Sequence, residues 1–301
     1  MYLQKNIHLQ YAVKLQINKN LMEDYIMLKR IVTIQDISCF GKCSLTVALP
    51  ILSAMGLETA VIPTAVLSTH TGGFTGYTFR DLTDDIPAIS SHWNELGLNF
   101  DGIYTGYLGS IEQVKIVTNF FETFKSENTT IVVDPVMGDA GKMYTGFKAE
   151  FADEMKKLCS KADVIVPNMT EVSLLLGVPY TEEYDEAYVK DMLKRLTDLG
   201  CPVAVITGIC YGDGMHGAVA YDKRTDRFFS SFMPHIDCAM HGTGDVFSSA
   251  LSGSIVKNGS LQEALDTAVA FTVKSIEATL PDKDKYWYGV SFEKCLGMLT
   301  E

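Results

Sequence analysis

Six short apolar runs, separated by longer stretches with helical spacing, constrain the fold of this chain most strongly. They lie at residues 30–35, 60–67, 102–105, 130–133, 163–166 and 203–207. Strands that are apolar along their whole length are typical of a parallel sheet, because helices cover both of its faces. The sequence therefore predicts an α/β protein with a doubly wound, mostly parallel sheet and helices on both faces.

The segments between and after these runs supply the helices and one further pair of strands. Helical spacing predicts helices over residues 44–55, 84–96, 147–160, 245–257 and 260–280. Capping boxes, in which a Ser and a Gln or Glu three residues later satisfy helix N–H groups, are predicted at 110–113 and 260–263. The runs at 217–222 and 227–232 flank a polar turn, which predicts an antiparallel hairpin at the sheet edge.

Residues 29–301 are expected to form a single domain, since the pattern continues without a linker or an internal repeat. Residues 1–28 precede the first run. Met22 and Met27 lie within them, and each is a candidate start of the chain just before the first strand. We treat residues 1–28 as an N-terminal extension whose role the sequence does not indicate.

Composition narrows the classes of partner. A net charge of −12 at pH 7 argues against nucleic acid and anionic membranes, because both are negatively charged. The 7 cysteines are odd in number and include no Cys-x-x-Cys pair, which argues against a disulfide framework and a zinc site. No run has the length of a membrane-spanning helix, and the first segment lacks the apolar core of a signal peptide. We expect a cytoplasmic protein with reduced thiols.

Candidate site residues follow from the predicted sheet. In an open parallel sheet, ligands bind beyond the carboxyl ends of the strands, so the polar residues just past each strand are the first candidates. They are Asp36, Thr105, Tyr107, Asp134, Asn168, Glu171 and Thr207. The loop at 68–78 is rich in Gly and Thr and carries His70 and Thr71, so its composition is not that of a linker.

The segment Gly242-Thr243-Gly244-Asp245 stands at the start of an apolar helix. Its glycines permit backbone conformations that side chains forbid, and a helix N-terminus attracts anions. Asp245 has two interpretations: it caps the helix, or it takes a proton from a hydroxyl beside a bound phosphate. Taken alone, the segment favours the capping interpretation.

Two other glycine motifs imitate phosphate loops. Residues 212–217 match the dinucleotide fingerprint, but the next predicted element is a strand, so a hairpin turn is the better interpretation. The segment 41–44 resembles part of a P-loop, yet Asp36 replaces the first glycine and Cys43 replaces the hydroxyl that binds magnesium. Neither segment is expected to bind phosphate.

Carboxylates follow two neighbouring strands, at Asp134 and at Glu171. Asp134 can simply open a turn, and Asn168 with Glu171 is a variant of a capping box. Two carboxylates on adjacent strand ends also suit a hydrated Mg²⁺, which keeps waters and uses few protein ligands beside phosphates. Their coincidence favours the metal-binding interpretation.

Together, these segments resemble the ribokinase-like superfamily, and most closely its pyridoxal/pyridoxamine kinase branch. The matching pieces lie at residues 34–35, 68–72, 105–107, 134–139, 167–171, 205–207 and 242–245. Their order and spacing span residues 29–280, which makes the match specific where any single piece would be weak.

By this resemblance, Asp245 is the base that takes the proton of the substrate hydroxymethyl group. Gly242, Thr243 and Gly244 form the anion hole for the transferred γ-phosphate. The metal ligands are Asp134 and Glu171, the ATP-binding residues are Asp139, Asn168 and Thr207, and the substrate-binding residues are Asp36, Leu67, His70, Thr71 and Tyr107. We expect Asp245 to keep its usual pKa of about 3.9 and to stay ionised at neutral pH.

The resemblance implies ATP-dependent phosphorylation of the 5′-hydroxymethyl group of a B6 vitamer, pyridoxal, pyridoxamine or pyridoxine. ATP and Mg²⁺ would be needed, and family members often need K⁺ and form homodimers. A hydroxymethylpyrimidine kinase of thiamine synthesis shares most of these motifs, and a non-catalytic vitamer-binding protein is a third alternative. A nicotinamide-dependent oxidoreductase is disfavoured, because the only dinucleotide fingerprint lies in a predicted hairpin.

Asp36 departs from the pattern of the branch. Many relatives carry Ser at this position, whereas other members of the superfamily use Asp in the sugar or pyrimidine pocket. An anionic side chain favours a cationic substituent, so the sequence suggests a preference for pyridoxamine over pyridoxal.

Overall fold

The six apolar runs become the parallel centre of a nine-stranded sheet in the computed structural model, which describes residues 28–212, 214–257 and 259–300. The strands are β1 (Arg30–Ser38), β2 (Glu58–Leu67), β3 (Phe79–Asp81), β4 (Gly102–Thr105), β5 (Thr130–Val133), β6 (Gly138–Asp139), β7 (Lys142–Met143), β8 (Val164–Ile165), β9 (Val203–Ile209), β10 (Met215–Asp222) and β11 (Arg227–Pro234). The predicted N-terminal extension lies outside the described residues except for Leu28.

The order of strands in the sheet is β11-β10-β9-β8-β5-β4-β1-β2-β3. The strands from β9 through β8, β5, β4 and β1 to β2 are all parallel, as predicted. β10 and β11 form the predicted antiparallel hairpin beside β9. The short strand β3 pairs antiparallel with β2 at the opposite edge, where no strand was predicted. β6 and β7 form a separate small hairpin.

Besides two 3₁₀ helices, Leu280–Asp282 and Phe292–Leu299, eight α-helices are present among the described residues. They are α1 (Leu45–Ala54), α2 (Asp85–Glu95), α3 (Ile111–Phe124), α4 (Ala149–Cys159), α5 (Met169–Leu176), α6 (Glu186–Thr197), α7 (Thr243–Val256) and α8 (Leu261–Thr279). The reciprocal capping box of Ser260 and Glu263 opens α8, as predicted. At α3 the box is displaced: Ser110 accepts from the N–H of Gln113, but the Gln113 side chain accepts from the N–H of Gly109. None of the described helices is long and apolar enough to span a membrane.

The helices cover both faces of the sheet because side chains alternate along each strand. Val32 and Ile34 of β1 pack into one core together with α2, α3, α4, α5 and α6. Ile31 of the same strand packs into a second core with α1, α7 and α8. The second core is therefore the one that positions the start of α7.

Several strands are longer than predicted, and at the carboxyl ends of β1 and β9 the added length places two candidate residues within a strand. β1 continues to Ser38 past an irregularity between Gln35 and Ile37, so Asp36 lies within the strand and not after it. β9 continues to Ile209, so Thr207 also lies within a strand. In both cases the strand continues to pair with its neighbour through polar residues. In the sequence, polar residues after an apolar run predict the end of a strand.

The fingerprint-like segment 212–217 joins β9 to β10, so its interpretation as a hairpin turn is confirmed. Gly212 and Gly214 have φ angles of 79° and 77°, a region that glycine enters without steric cost. No helix N-terminus follows the segment to hold a pyrophosphate.

Candidate active site

The start of α7 is held in place by a glycine. Gly242 is the N-cap residue with a φ of 78°, and a Cβ atom there would overlap the carbonyl oxygen of Lys42. Thr243, Gly244 and Asp245 occupy the first three helical positions, where backbone N–H groups have no partner within the helix. A Cβ at Gly244 would meet no atom within 4 Å, so open space adjoins this anion-attracting turn.

Asp245 faces a loop that is distant in sequence. Its half-buried carboxylate interacts with the backbone N–H of Ser44, just before α1. Burial raises the pKa of Asp245 to about 7, the charge of Asp36 adds to the rise, and the Ser44 N–H opposes it. The expectation of an ordinary pKa was therefore wrong, because a lone residue in a sequence carries no information about its burial. A carboxylate with a pKa near neutral is well matched to accept a proton from a hydroxyl group.

Asp36 is buried beside Asp245. It accepts a hydrogen bond of 3.0 Å from the Ser38 hydroxyl and interacts with the hydroxyl of Ser44. Burial raises the pKa of Asp36, and the two serines oppose the rise. Burial raises the pKa of Tyr107, and the charge of Asp36 adds to the rise.

Tyr107 and Leu67 line the same end of the sheet. Tyr107 is half-buried and stacks on Phe147, with the ring centroids 5.7 Å apart. Leu67 is the last residue of β2 and is buried, and its carbonyl accepts the N–H of Cys39 at 2.8 Å. Thr71 is exposed in the 68–78 loop.

His70 is tied to the protein through both ring nitrogens. Nε2 lies 2.8 Å from the carbonyl oxygen of Tyr288, and Nδ1 accepts the N–H of Gly72 at 3.1 Å. This pairing requires the neutral ring with the proton on Nε2, and burial lowers the pKa of His70 accordingly. A contact between His70 and a substrate would replace one of these two bonds.

Asn168 and Glu171 form the predicted capping box at the start of α5. Both oxygens of Glu171 accept backbone N–H groups, from Met137 at 3.0 Å and from Asn168 at 2.9 Å. The Asn168 amide also donates to the carbonyl of Gly138 at 2.9 Å. The capping role is therefore present, and the same bonds fix the Glu171 carboxylate in a buried position.

Asp134 is buried directly after β5, where it accepts the hydroxyl of Ser248 at 2.8 Å. Burial raises the pKa of Asp134 and of Glu171, and the two carboxylates repel each other. Within the described part of the chain, no cationic side chain is among the groups that shift either of them. Two buried anions of this kind fit a hydrated divalent cation, although the described residues contain no cluster of three His, Cys, Asp or Glu.

Asp139 and Thr207 lie on two other elements, β6 and β9. Asp139 is exposed in the β6–β7 hairpin and accepts the N–H of Ala140 at 2.8 Å. The hairpin is joined to α5 by a 2.9 Å bond from the Gly141 N–H to the Thr170 hydroxyl. Thr207 is half-buried and pairs with Asn168 across an isolated bridge. The structure thus places most of the predicted site residues at the carboxyl ends of the parallel strands.

Three further residues adjoin the site without having been singled out from the sequence. Ser248 bonds Asp134, Ser44 contacts Asp36 and Asp245, and the pKa of Tyr144 is raised by burial and by the charges around it. Ser248 could have been found, because it follows Asp245 by three residues and shares its helix face. Ser44 and Tyr144 carry no such signal.

Comparisons with known proteins identify relatives of this chain. The family model described as phosphomethylpyrimidine kinase matches residues 49–287. The pyridoxine/pyridoxal/pyridoxamine kinase of Bordetella avium (strain 197N) is 27% identical over 266 residues, which cover 84% of this chain and 86% of that protein.

Two solved structures are similar throughout. One is the Bacteroides thetaiotaomicron VPI-5482 protein assigned as a phosphomethylpyrimidine kinase, in an orthorhombic crystal form with pyridoxal. Its TM-score is 0.87 and its identity 40%, covering 91% of this chain and 96% of that one. The pyridoxal kinase of Lactobacillus plantarum has a TM-score of 0.83 and 30% identity, covering 90% and 96%.

The two glycines at the start of α7 should differ in their tolerance of a side chain. Gly242→Ala is expected to destabilise the protein by at least about 1 to 2 kcal/mol, because Ala is strained at positive φ and would overlap Lys42. Gly244→Ala is the matched control and should leave stability nearly unchanged, since its Cβ meets open space. Urea unfolding of both variants measures this, and equal stabilities would contradict the geometry.

Proposed function

Because this chain belongs to the phosphomethylpyrimidine kinase family, in the pyridoxal kinase branch of the ribokinase-like fold, we propose that it is a B6 vitamer kinase. It transfers the γ-phosphate of ATP to the 5′-hydroxymethyl group of pyridoxal, pyridoxamine or pyridoxine. The observation that carries the proposal is the position of Asp245, a carboxylate of near-neutral pKa within the first turn of α7. A proton acceptor and an anion site thus adjoin each other, which is what phosphoryl transfer to an alcohol requires.

In the proposed reaction, the carboxylate of Asp245 takes the proton of the vitamer hydroxyl. The hydroxyl oxygen forms a bond to the γ-phosphorus, and the bond from that phosphorus to the bridging oxygen of ATP breaks, which releases ADP. The N–H groups of Gly242, Thr243 and Gly244 face the transferred phosphoryl group and stabilise its charge. Gly244 has no side chain because the phosphoryl group needs the space beside it.

Asp134 and Glu171 are the residues that would hold Mg²⁺, which supplies charge neutralisation for the ATP phosphates. Asn168, Asp139 and Thr207 adjoin these carboxylates and are the proposed contacts to ATP. Ser248 keeps Asp134 oriented through its 2.8 Å hydrogen bond.

The use of ATP favours a cytoplasmic location. We further propose that the enzyme requires K⁺ and forms a homodimer. Replacing K⁺ by another monovalent cation in the assay tests the first proposal, and light scattering tests the second.

The vitamer ring is proposed to lie between Tyr107 and Leu67, with Asp36 at one end and Thr71 and His70 at the loop side. The charges of Asp36 and Asp245 repel each other, and this repulsion is one cause of the raised pKa of Asp245. A cationic substituent near Asp36 would relieve this repulsion. The arrangement therefore supports a preference for pyridoxamine.

The family description supports a second candidate, phosphorylation of a hydroxymethylpyrimidine. Incubation with Mg-ATP and each alcohol separately, followed by mass analysis of the products, distinguishes the two. A phosphorylated product that forms from a B6 vitamer but not from the pyrimidine supports the proposal. A product that forms from the pyrimidine but from no vitamer overturns it. Absence of turnover with every alcohol would instead favour a non-catalytic vitamer-binding protein.

Asp245→Asn should lose at least about a thousandfold in kcat, because the amide cannot accept the hydroxyl proton. Vitamer binding, measured by calorimetry, should persist, since the substitution preserves shape. Near-normal turnover in this variant would refute the assignment of Asp245 as the base.

The value of kcat/KM should rise with pH through about 7, because only ionised Asp245 accepts a proton and its pKa is raised to about 7. Below that pH, activity should fall by about tenfold per pH unit. Asp36→Ser should move the midpoint to lower pH, since it removes a charge that raises the pKa of Asp245. A profile that stays flat from about pH 5 to 8 would contradict this role.

Asp36→Ser should also change the choice of vitamer. The ratio of kcat/KM for pyridoxamine to that for pyridoxal is expected to fall by about tenfold, the effect of losing one charge contact of about 1.4 kcal/mol. The measurement compares both substrates in wild type and variant at the same pH. An unchanged ratio would sink the idea that Asp36 determines specificity.

A further inference from the structure

The loop Gly41–Ser44, which the sequence excluded as a phosphate loop, contacts both acidic groups of the site. The carbonyl of Lys42 packs against Gly242, at the N-cap of α7. The backbone N–H of Ser44 interacts with Asp245, and its hydroxyl interacts with Asp36. Any displacement of this loop therefore displaces the immediate surroundings of Asp245.

The Lys42 side chain connects the loop to the C-terminal part of the chain. Its Nζ atom lies 2.7 Å from Oε2 of Glu293, with the Lys42 side chain 13% exposed and that of Glu293 51% exposed. Nζ also lies over the rings of Tyr286 and Phe292, 5.4 Å and 5.7 Å from their centroids. The ammonium group is thus held by one carboxylate and two aromatic faces.

The segment 286–293 is itself anchored beside the site. A Cβ at Gly289 would overlap the stem of Lys42, so the two backbones approach closely at this point. The carbonyl of Tyr288 bonds His70, and the ring of Trp287 packs on Phe74 at 4.6 Å between centroids. The N–H of Ser291 donates to Thr279 of α8 at 2.7 Å. The segment therefore braces two loops, the one at Lys42 and the one at His70.

We propose that Lys42 and Glu293 form a latch through which the segment 286–293 positions Asp245 for proton transfer. Lys42 is a positioning residue, since its ammonium group contacts Glu293 and two aromatic rings and acts on Asp245 through the backbone of its own loop. The proposal rests on the role of Asp245 as the base. Glu293 is half-exposed and a Met side chain keeps the apolar stem of Lys42, so opening the latch should affect turnover more than unfolding.

The test uses neutral variants that change the charge in opposite directions. Lys42→Met removes a positive charge and Glu293→Gln removes a negative one, yet both open the latch. Each should lower kcat on the order of tenfold while the KM values for vitamer and ATP change less than about twofold. A purely electrostatic influence on the site would instead give opposite effects in the two variants and would overturn the proposal.

A conservative variant provides the second arm. Lys42→Glu and Glu293→Lys should each lose activity, because each sets two like charges against each other, and Lys42→Glu also places a carboxylate against two aromatic faces. Lys42→Arg should stay close to wild type, since it keeps the charge and the aromatic contacts. A loss in Lys42→Arg as large as that in Lys42→Met, or near-normal turnover in Lys42→Glu, would overturn the latch.

Controls separate the latch from general effects and from the function itself. The pair of Lys223 and Asp198 also lies at 2.7 Å between two elements but far along the chain from the loop, so Lys223→Met should leave kcat unchanged. In a Trp93→Phe background, the emission intensity of Trp287, whose ring packs on Phe74, should change when the latch opens, whatever the activity. An unchanged emission in Lys42→Met and Glu293→Gln would overturn the latch. Failure of wild type to phosphorylate any vitamer would sink the proposed function alone.

Discussion

This site depends on one constraint: four carboxylates lie close together at the carboxyl ends of the parallel strands. Asp36, Asp134 and Glu171 are buried and Asp245 is half-buried, and burial raises the pKa of all four. A carboxyl group whose pKa is higher in the folded state than in the unfolded state lowers stability wherever it must be ionised. The site is therefore unfavourable by itself at neutral pH, and binding of a cation would offset part of that cost.

Each carboxylate is held by hydrogen-bond donors from outside its own element. Glu171 accepts from Met137, Asp134 accepts from Ser248, and Asp245 interacts with the N–H of Ser44. These donors come from three different stretches of the chain, so the site exists only when both layers of helices are packed on the sheet. Such preorganised groups let a kinase work mainly by positioning and charge stabilisation.

The two interpretations that the sequence left open for Asn168 and Glu171 are compatible in the folded protein. A capping box fixes the Glu171 side chain at the helix start, and the fixed carboxylate then faces Asp134. For Asp245 the outcome differs, because Gly242 occupies the cap and the carboxylate interacts with a different loop. Local capping physics explains the first residue, whereas only packing against the Gly41–Ser44 loop explains the second.

The sequence by itself determined the alternation of strands and helices, the parallel sheet, the edge hairpin and the glycine turn before α7. These features depend on periodicity and on turn chemistry, which are local. Only the tertiary structure decided that Asp36 lies within β1, that the pKa of Asp245 is near 7, and that Lys42 meets Glu293. Burial and contacts between residues 251 positions apart depend on how the layers pack, and no local pattern in the chain records that packing.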